Sequence, residues 1–163
     1  MAFNELSYGA YTLSDDPRRL DLKAIHDYLR NAYWSKNRSL ETIETAVLHS
    51  VCIGVYGCHG NQVGFLRIVT DCATYCYLCD LYILEDHRSQ GLSKALLAMA
   101  LNHPRLRGVQ RWTLTTRDTH ELFAQAGFAA MPVQYHMERL VGCVDRAKVN
   151  GGAELDRVCL GYN

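Results

Sequence analysis

The chain has 163 residues, 48% of them hydrophobic and 21% charged, with 17 Lys and Arg against 17 Asp and Glu. That length suits one domain with a substantial core, and the charge balance excludes the basic field that nucleic-acid binding calls for. No apolar run approaches the roughly 18 residues of a membrane span. Residues 1–6 lack the basic and apolar blocks of a secretory leader, so a cytoplasmic protein is the expectation.

Residues 8–13 read as a first, edge strand, broken by Asp15-Asp16-Pro17. From Leu20 onward, Leu22, Ile25, Leu29, Ala32 and Tyr33 fall on one helical stripe. Ser39 is a good N-cap for a second helix, with Leu40, Ile43 and Val47 inward and Glu41 and Glu44 outward. Tyr33 and Trp34 lie between these helices and serve either as core cover or as ligand contacts.

Residues 51–56 and 62–70 read as two strands joined by a hairpin over 57–61. In the second, Val63, Phe65, Arg67 and Val69 share a face, so Arg67 must be paired or wet. Asp80 repeats the situation in the next strand, between Cys79 and Leu81. Two readings stay open: a structural ion pair, or two charges in a polar substrate cleft.

Seven cysteines, an odd count mostly inside apolar segments, fit free thiols in a reducing compartment. Cys72-x-x-x-Cys76-x-x-Cys79 has the spacing of the iron–sulfur motif of radical SAM enzymes. Cys76 and Cys79, however, differ by an odd count on a strand and face opposite sides. Small core hydrophobes are the preferred reading, and no metal is expected.

Residues 78–84 form a short apolar run, hence a buried strand, and residues 85–94 a polar turn. Leu92, Ala95, Leu96, Met99 and Ala100 then mark an amphipathic helix. Backbone N–H groups around Gly91 lie at the positive end of that helix, which makes the turn an anion cradle. Asn102-His103-Pro104 ends the helix. Residues 109–116 form a strand, and Asp118 and Glu121 have capping-box spacing for a helix running to Ala126, stopped by Gly127. A turn at Pro132 and a last strand over 134–140 follow. Residues 141–163 show no period, which divides the chain into a domain over 1–140 and a tail.

The spacing Arg88-x-x-Gly91-x-Ser93 resembles the pyrophosphate-binding motif of the GNAT superfamily of acyl-CoA-dependent N-acetyltransferases: Arg or Gln, two residues, Gly, one residue, then Gly or Ala. Ser93 departs from it but is small. The order of elements over residues 8–140 is also that of the family. Residues 115–128 are similar to its segment Asn-x-x-Ala-x-x-Leu-Tyr-x-x-x-Gly-Phe, with Leu122, Gly127 and Phe128 matching and Thr116, Thr119 and Phe123 departing. Tyr33-Trp34 and residues 64–71 look like a bacterial and fungal branch whose acceptors are mostly unassigned.

The resemblance implies a GNAT α/β fold: a mixed, mostly antiparallel sheet of six to seven strands with a splayed parallel pair, flanked by about four helices. It implies acetyl-CoA as co-substrate, with pantetheine bonded to backbone around Ile83 and pyrophosphate on Arg88, Ser89, Gln90, Gly91, Leu92, Ser93 and Lys94. Thr116 and Phe123 complete that side. Tyr33, Trp34 and Arg67 line the acceptor side, and His120 either joins them or, as an early-helix residue, sits on the surface. Attack on the thioester by a primary amine of a small molecule or amino acid needs a base, for which Asp80 comes first and Asp71 second. The family's acid is a Tyr at the place of Phe123; Tyr82 or Tyr135 could replace it. The alternative is a non-catalytic acyl-CoA-binding module. A homodimer through terminal strands is compatible with such a fold.

Overall fold

A computed structural model describes residues 3–132 together with Gln134 and Met137. Among them, six strands make one sheet in chain order: β1 (Glu5–Tyr8), β2 (Tyr11–Ser14), β3 (Val51–Tyr56), β4 (Gln62–Thr70), β5 (Tyr75–Ile83) and β6 (Arg111–Leu114). Neighbours are antiparallel except β5 and β6, which run parallel. Four helices flank the sheet: α1 (Leu22–Leu29), α2 (Leu40–Leu48), α3 (Leu92–Leu101) and α4 (His120–Gln125). The expected mixed sheet with one parallel pair is present.

Two cores follow from the two faces. Leu92, Leu96 and Ala100 of α3 pack on Ile53, Leu66, Ile68 and Leu78, and Phe123 of α4 joins them. On the other face Ile25 and Leu29 of α1 and Ile43 of α2 cover Cys52, Phe65 and Tyr82. The capping chemistry agrees with the sequence: Asp21 accepts from the Ala24 N–H at the start of α1, and Ser39 from the Thr42 N–H at the start of α2.

Several local expectations are corrected. Residues 8–13 are not one strand but the middle of a β1–β2 hairpin, because Gly9 takes φ +58° and turns the chain between Tyr8 and Tyr11. The α1 stripe stops at Leu29: the next N–H groups, of Asn31 and Ala32, bond three residues back, so Ala32 is buried but Tyr33 points out. Leu40 is exposed at the start of α2. Val63 joins the α3-side core, because a bulge opposite Val55 and Tyr56 shifts it off the face of Phe65. Thr119, not Asp118, precedes α4, and the Thr116 hydroxyl accepts its N–H. Apart from Gln134 and Met137, the strand expected over 134–140, Tyr135 and the tail 141–163 lie outside the described residues.

The feature that shapes the site is in β5. Phe65 pairs with Tyr82 and Arg67 with Cys79, so Asp80 and Leu81 together oppose Leu66. This is a β-bulge, and Asp80 adopts φ +54° to make it. Side chains change phase there: Cys76 and Leu78 face α3 before the bulge, Ile83 after it, and Tyr82 turns to the α1–α2 face.

Candidate active site

The parallel ladder of β5 and β6 runs from Tyr75–Arg111 to Leu78–Leu114 and stops. Beyond it β5 continues to Ile83 while β6 has ended, so the two strands part. The Leu84 N–H donates to the Val63 carbonyl at 2.8 Å. By alternation, the backbone groups of Ile83 therefore point away from β4 and into the gap.

At the end of β5 the chain makes a 3₁₀ turn, Glu85–His87, then swings through Ser89 (φ +59°) and Gly91 (φ +77°) into α3. A pocket of about 240 Å³ opens here, lined by Ile83, Arg88, Ser89, Gly91, Ser93 and Lys94 with His87, Leu92 and Leu122. Among the described residues no side chain caps the α3 N-terminus. Its first turn, Leu92-Ser93-Lys94, carries no acid, so the positive end stays available for an anion. A Cβ on Gly91 would lie 2.5 Å from the Tyr8 hydroxyl. Leu92 is the buried anchor of the turn. Arg88 folds back, its Nε donating to the Ile83 carbonyl at 3.1 Å. The Gln90 side chain accepts from the Tyr11 hydroxyl.

On the opposite face Asp80 is fully enclosed, with 1% of its side chain exposed. Arg67 Nε donates to one oxygen at 2.7 Å and Arg38 Nη1 reaches the other at 3.1 Å. Arg67 also reaches the Ser50 hydroxyl. The structure therefore brings Arg67 and Asp80 together as an ion pair and adds Arg38, from the α1–α2 connection, 42 residues away in sequence. Both carboxylate oxygens are thus engaged by guanidinium N–H groups inside the protein. Cys52 and Cys79 flank Arg67 on β3 and β5, and burial pushes both thiols up to about 12.

Asp71 sits elsewhere. It closes the β4–β5 turn, accepting from the Thr74 hydroxyl and from the N–H groups of Ala73, Thr74 and Tyr75. Those bonds, the Thr74 hydroxyl first, hold its carboxyl well below the usual range. Asp80 is five positions, roughly 16 Å of strand, beyond Tyr75, so Asp71 lies in the turn at the far end of β5 from the splay. Tyr82 is buried, stacked on Tyr28 at 3.8 Å. Burial, then the neighbouring Tyr28, raises the pKa of its phenol.

Tyr33 and Trp34 help line an open pocket of about 430 Å³ with Asp27, Tyr28, Asn31 and Ala32. Arg117, from the loop after β6, stacks over Tyr33 at 4.3 Å from the ring centre. His120 is exposed in the first turn of α4. Thr116 bonds the Thr119 hydroxyl at 2.6 Å, and Phe123 is buried edge-on to Phe128. The sequence reading missed Arg38, Tyr28, Arg117 and Tyr77. Tyr77 lies in register with Thr113, and burial raises its pKa.

Residues 49–130 match the model of a family described as the acetyltransferase (GNAT) domain. FG08082 of Gibberella zeae, whose name proposes an acetyltransferase, is 30% identical over 141 residues, covering 72% of this chain and 77% of its own. A solved structure from Xanthomonas campestris pv. campestris, described as belonging to the GNAT family, is 38% identical with a TM-score of 0.77, over 83% of this chain and 96% of that one. Rv2747 of Mycobacterium tuberculosis, solved in complex with CoA, shares the fold at 23% identity and a TM-score of 0.58, over 71% and 70% of the two chains.

Proposed function

The chain belongs to the GNAT acetyltransferases, and from that footing we propose that it moves an acetyl group from acetyl-CoA to a primary amine of a small molecule by direct attack. The observation that carries this reading is the uncapped, acid-free start of α3 beside Gly91, which opens next to the parted ends of β5 and β6. When bound, acetyl-CoA supplies the thioester. Ser89, Gly91 and Lys94 offer backbone N–H groups to its pyrophosphate. The Ile83 backbone faces the gap where pantetheine would run, and Arg88 gives up the Ile83 carbonyl to it.

The acceptor enters from the α1–α2 face. Tyr28, Tyr33 and Trp34 line the pocket there with aromatic rings, and Asp27 adds a carboxylate that attracts an ammonium. Holding amine and thioester together supplies much of the rate. The ammonium proton leaves to water at the open mouth of this pocket. Asp80 anchors the bulge through Arg67 and Arg38, and Tyr77, on the face of Cys79 and Arg67 and one rung before the β5–β6 ladder ends, is our candidate to donate to the departing thiolate. An acyl-cysteine route is disfavoured, since thiols raised to about 12 are almost wholly protonated at neutral pH.

The test is CoASH release from acetyl-CoA over a panel of primary amines, beside calorimetric binding of CoA. Binding with release for some amines is the expected result. Binding without release for any of them would assign a non-catalytic acyl-CoA module, and absence of binding would end the reading.

A further inference from the structure

We propose that the facing tyrosines at the tip of the β1–β2 hairpin, Tyr8 and Tyr11, are positioning residues that clasp the turn from His87 to Gly91 in its anion-binding shape. The proposal rests on the acetyl-CoA reading above. Tyr8 and Tyr11 are direct cross-strand partners on either side of the Gly9-Ala10 turn, so their side chains leave the hairpin on the same face. The Tyr11 hydroxyl lies 2.9 Å from His87 Nδ1 and donates to Gln90 Oε1 at 3.2 Å. The one phenol thus bridges both ends of the turn, meeting His87 at one side and Gln90 at the other. The two rings also meet edge to face at 5.6 Å.

Tyr8 acts on the next residue. Its hydroxyl fills the space that a side chain at position 91 would need, 2.5 Å from the place of a Cβ. The turn it covers contains Ser89 and Gly91 in left-handed conformations, at φ +59° and +77°. For Ser89 that conformation is costly and persists only where surrounding contacts enforce it. No side chain caps α3 among the described residues, so the hairpin supplies from outside the support that a cap would give, while leaving the N–H groups open. A binding surface made of backbone is only as good as its shape, and here two residues nearly 80 positions upstream hold that shape.

Tyr11→Phe keeps the ring and removes both hydrogen bonds. The expected result is a CoA dissociation constant raised about tenfold. Amide exchange should speed up over residues 87–94 alone, with the melting temperature nearly unchanged. Gln90→Ala breaks the same bond from the turn, and combining the two should add little; it also stands in should Tyr11→Phe fail to fold. Unchanged CoA affinity in both variants overturns the clasp, as does exchange that quickens throughout the sheet, which would mark a merely structural role. Wild-type protein that does not bind CoA would sink the acetyl-CoA reading itself; binding that the substitutions leave untouched sinks only the clasp.

Discussion

The two faces of the sheet solve their tasks with different material. On the α3 face the candidate site is made of backbone: N–H groups of a turn, a glycine without a Cβ and a helix end that no described side chain caps. On the α1–α2 face it is made of side chains: a carboxylate between two guanidinium groups, a row of aromatics and a phenol one rung before the splay. The first arrangement depends on conformation and tolerates varied residues. The second depends on identities that meet only after folding, so each face should fail in its own way.

The largest expected effect is on the side-chain face. Asp80→Ala leaves Arg67 and Arg38 nearly buried against each other, and losing one partner of such a group costs about 3–5 kcal/mol. Denaturant unfolding measures it, and a loss below about 1 kcal/mol would mean solvent already carries those charges. Next comes Tyr77→Phe, which should lower single-turnover rates about 10²-fold while leaving CoA affinity unchanged. Tyr82→Phe and Phe123→Tyr should move the rate far less, and the reverse ranking would return the acid to Tyr82.

On the backbone face, Gly91→Ala adds a Cβ both at positive φ and against the Tyr8 hydroxyl. It should weaken CoA binding roughly tenfold, a cost of the order expected for strained backbone, with turnover at saturation preserved. Unaltered affinity would separate the turn from the cofactor. The smallest effect belongs to neither face. Asp71 has its pKa depressed by the Thr74 hydroxyl and three N–H groups, so its stabilisation is present above the ordinary carboxylate value near 4 and is lost as pH falls below it. The melting-temperature difference between wild type and Asp71→Asn should be constant at neutral pH and close in the acid range.

The same division decides what could be read from the sequence. Arg88, Gly91 and Ser93 are close in the chain, and the stripe from Leu92 to Ala100 announces the helix behind them, so the turn and the helix start were legible in the sequence. Asp80 was not, in its full role. A lone charge in an apolar strand signals a pair, but the second arginine comes from a loop 42 residues away, and alternation hides a bulge. That bulge also explains Tyr77 and Tyr82, since a strict two-residue period carried through Asp80 misassigns the face of one or the other. The β1–β2 hairpin was missed because Tyr8 to Leu13 reads as continuous strand unless Gly9 is given a positive φ.

The early end of the β5–β6 ladder also has a meaning for the protein without its co-substrate. From Cys79 to Ile83 the sheet has an edge in its interior, a row of main-chain donors and acceptors that β6 no longer meets. Such edges invite pairing with foreign strands. An extended amide chain laid in the gap would act there as a substitute strand. Bound CoA would then contribute to the protein's solubility and stability as well as to its chemistry: a ligand at about 100 times its dissociation constant adds about 2.7 kcal/mol to the folded state. The protein kept without it should aggregate first, and by this seam.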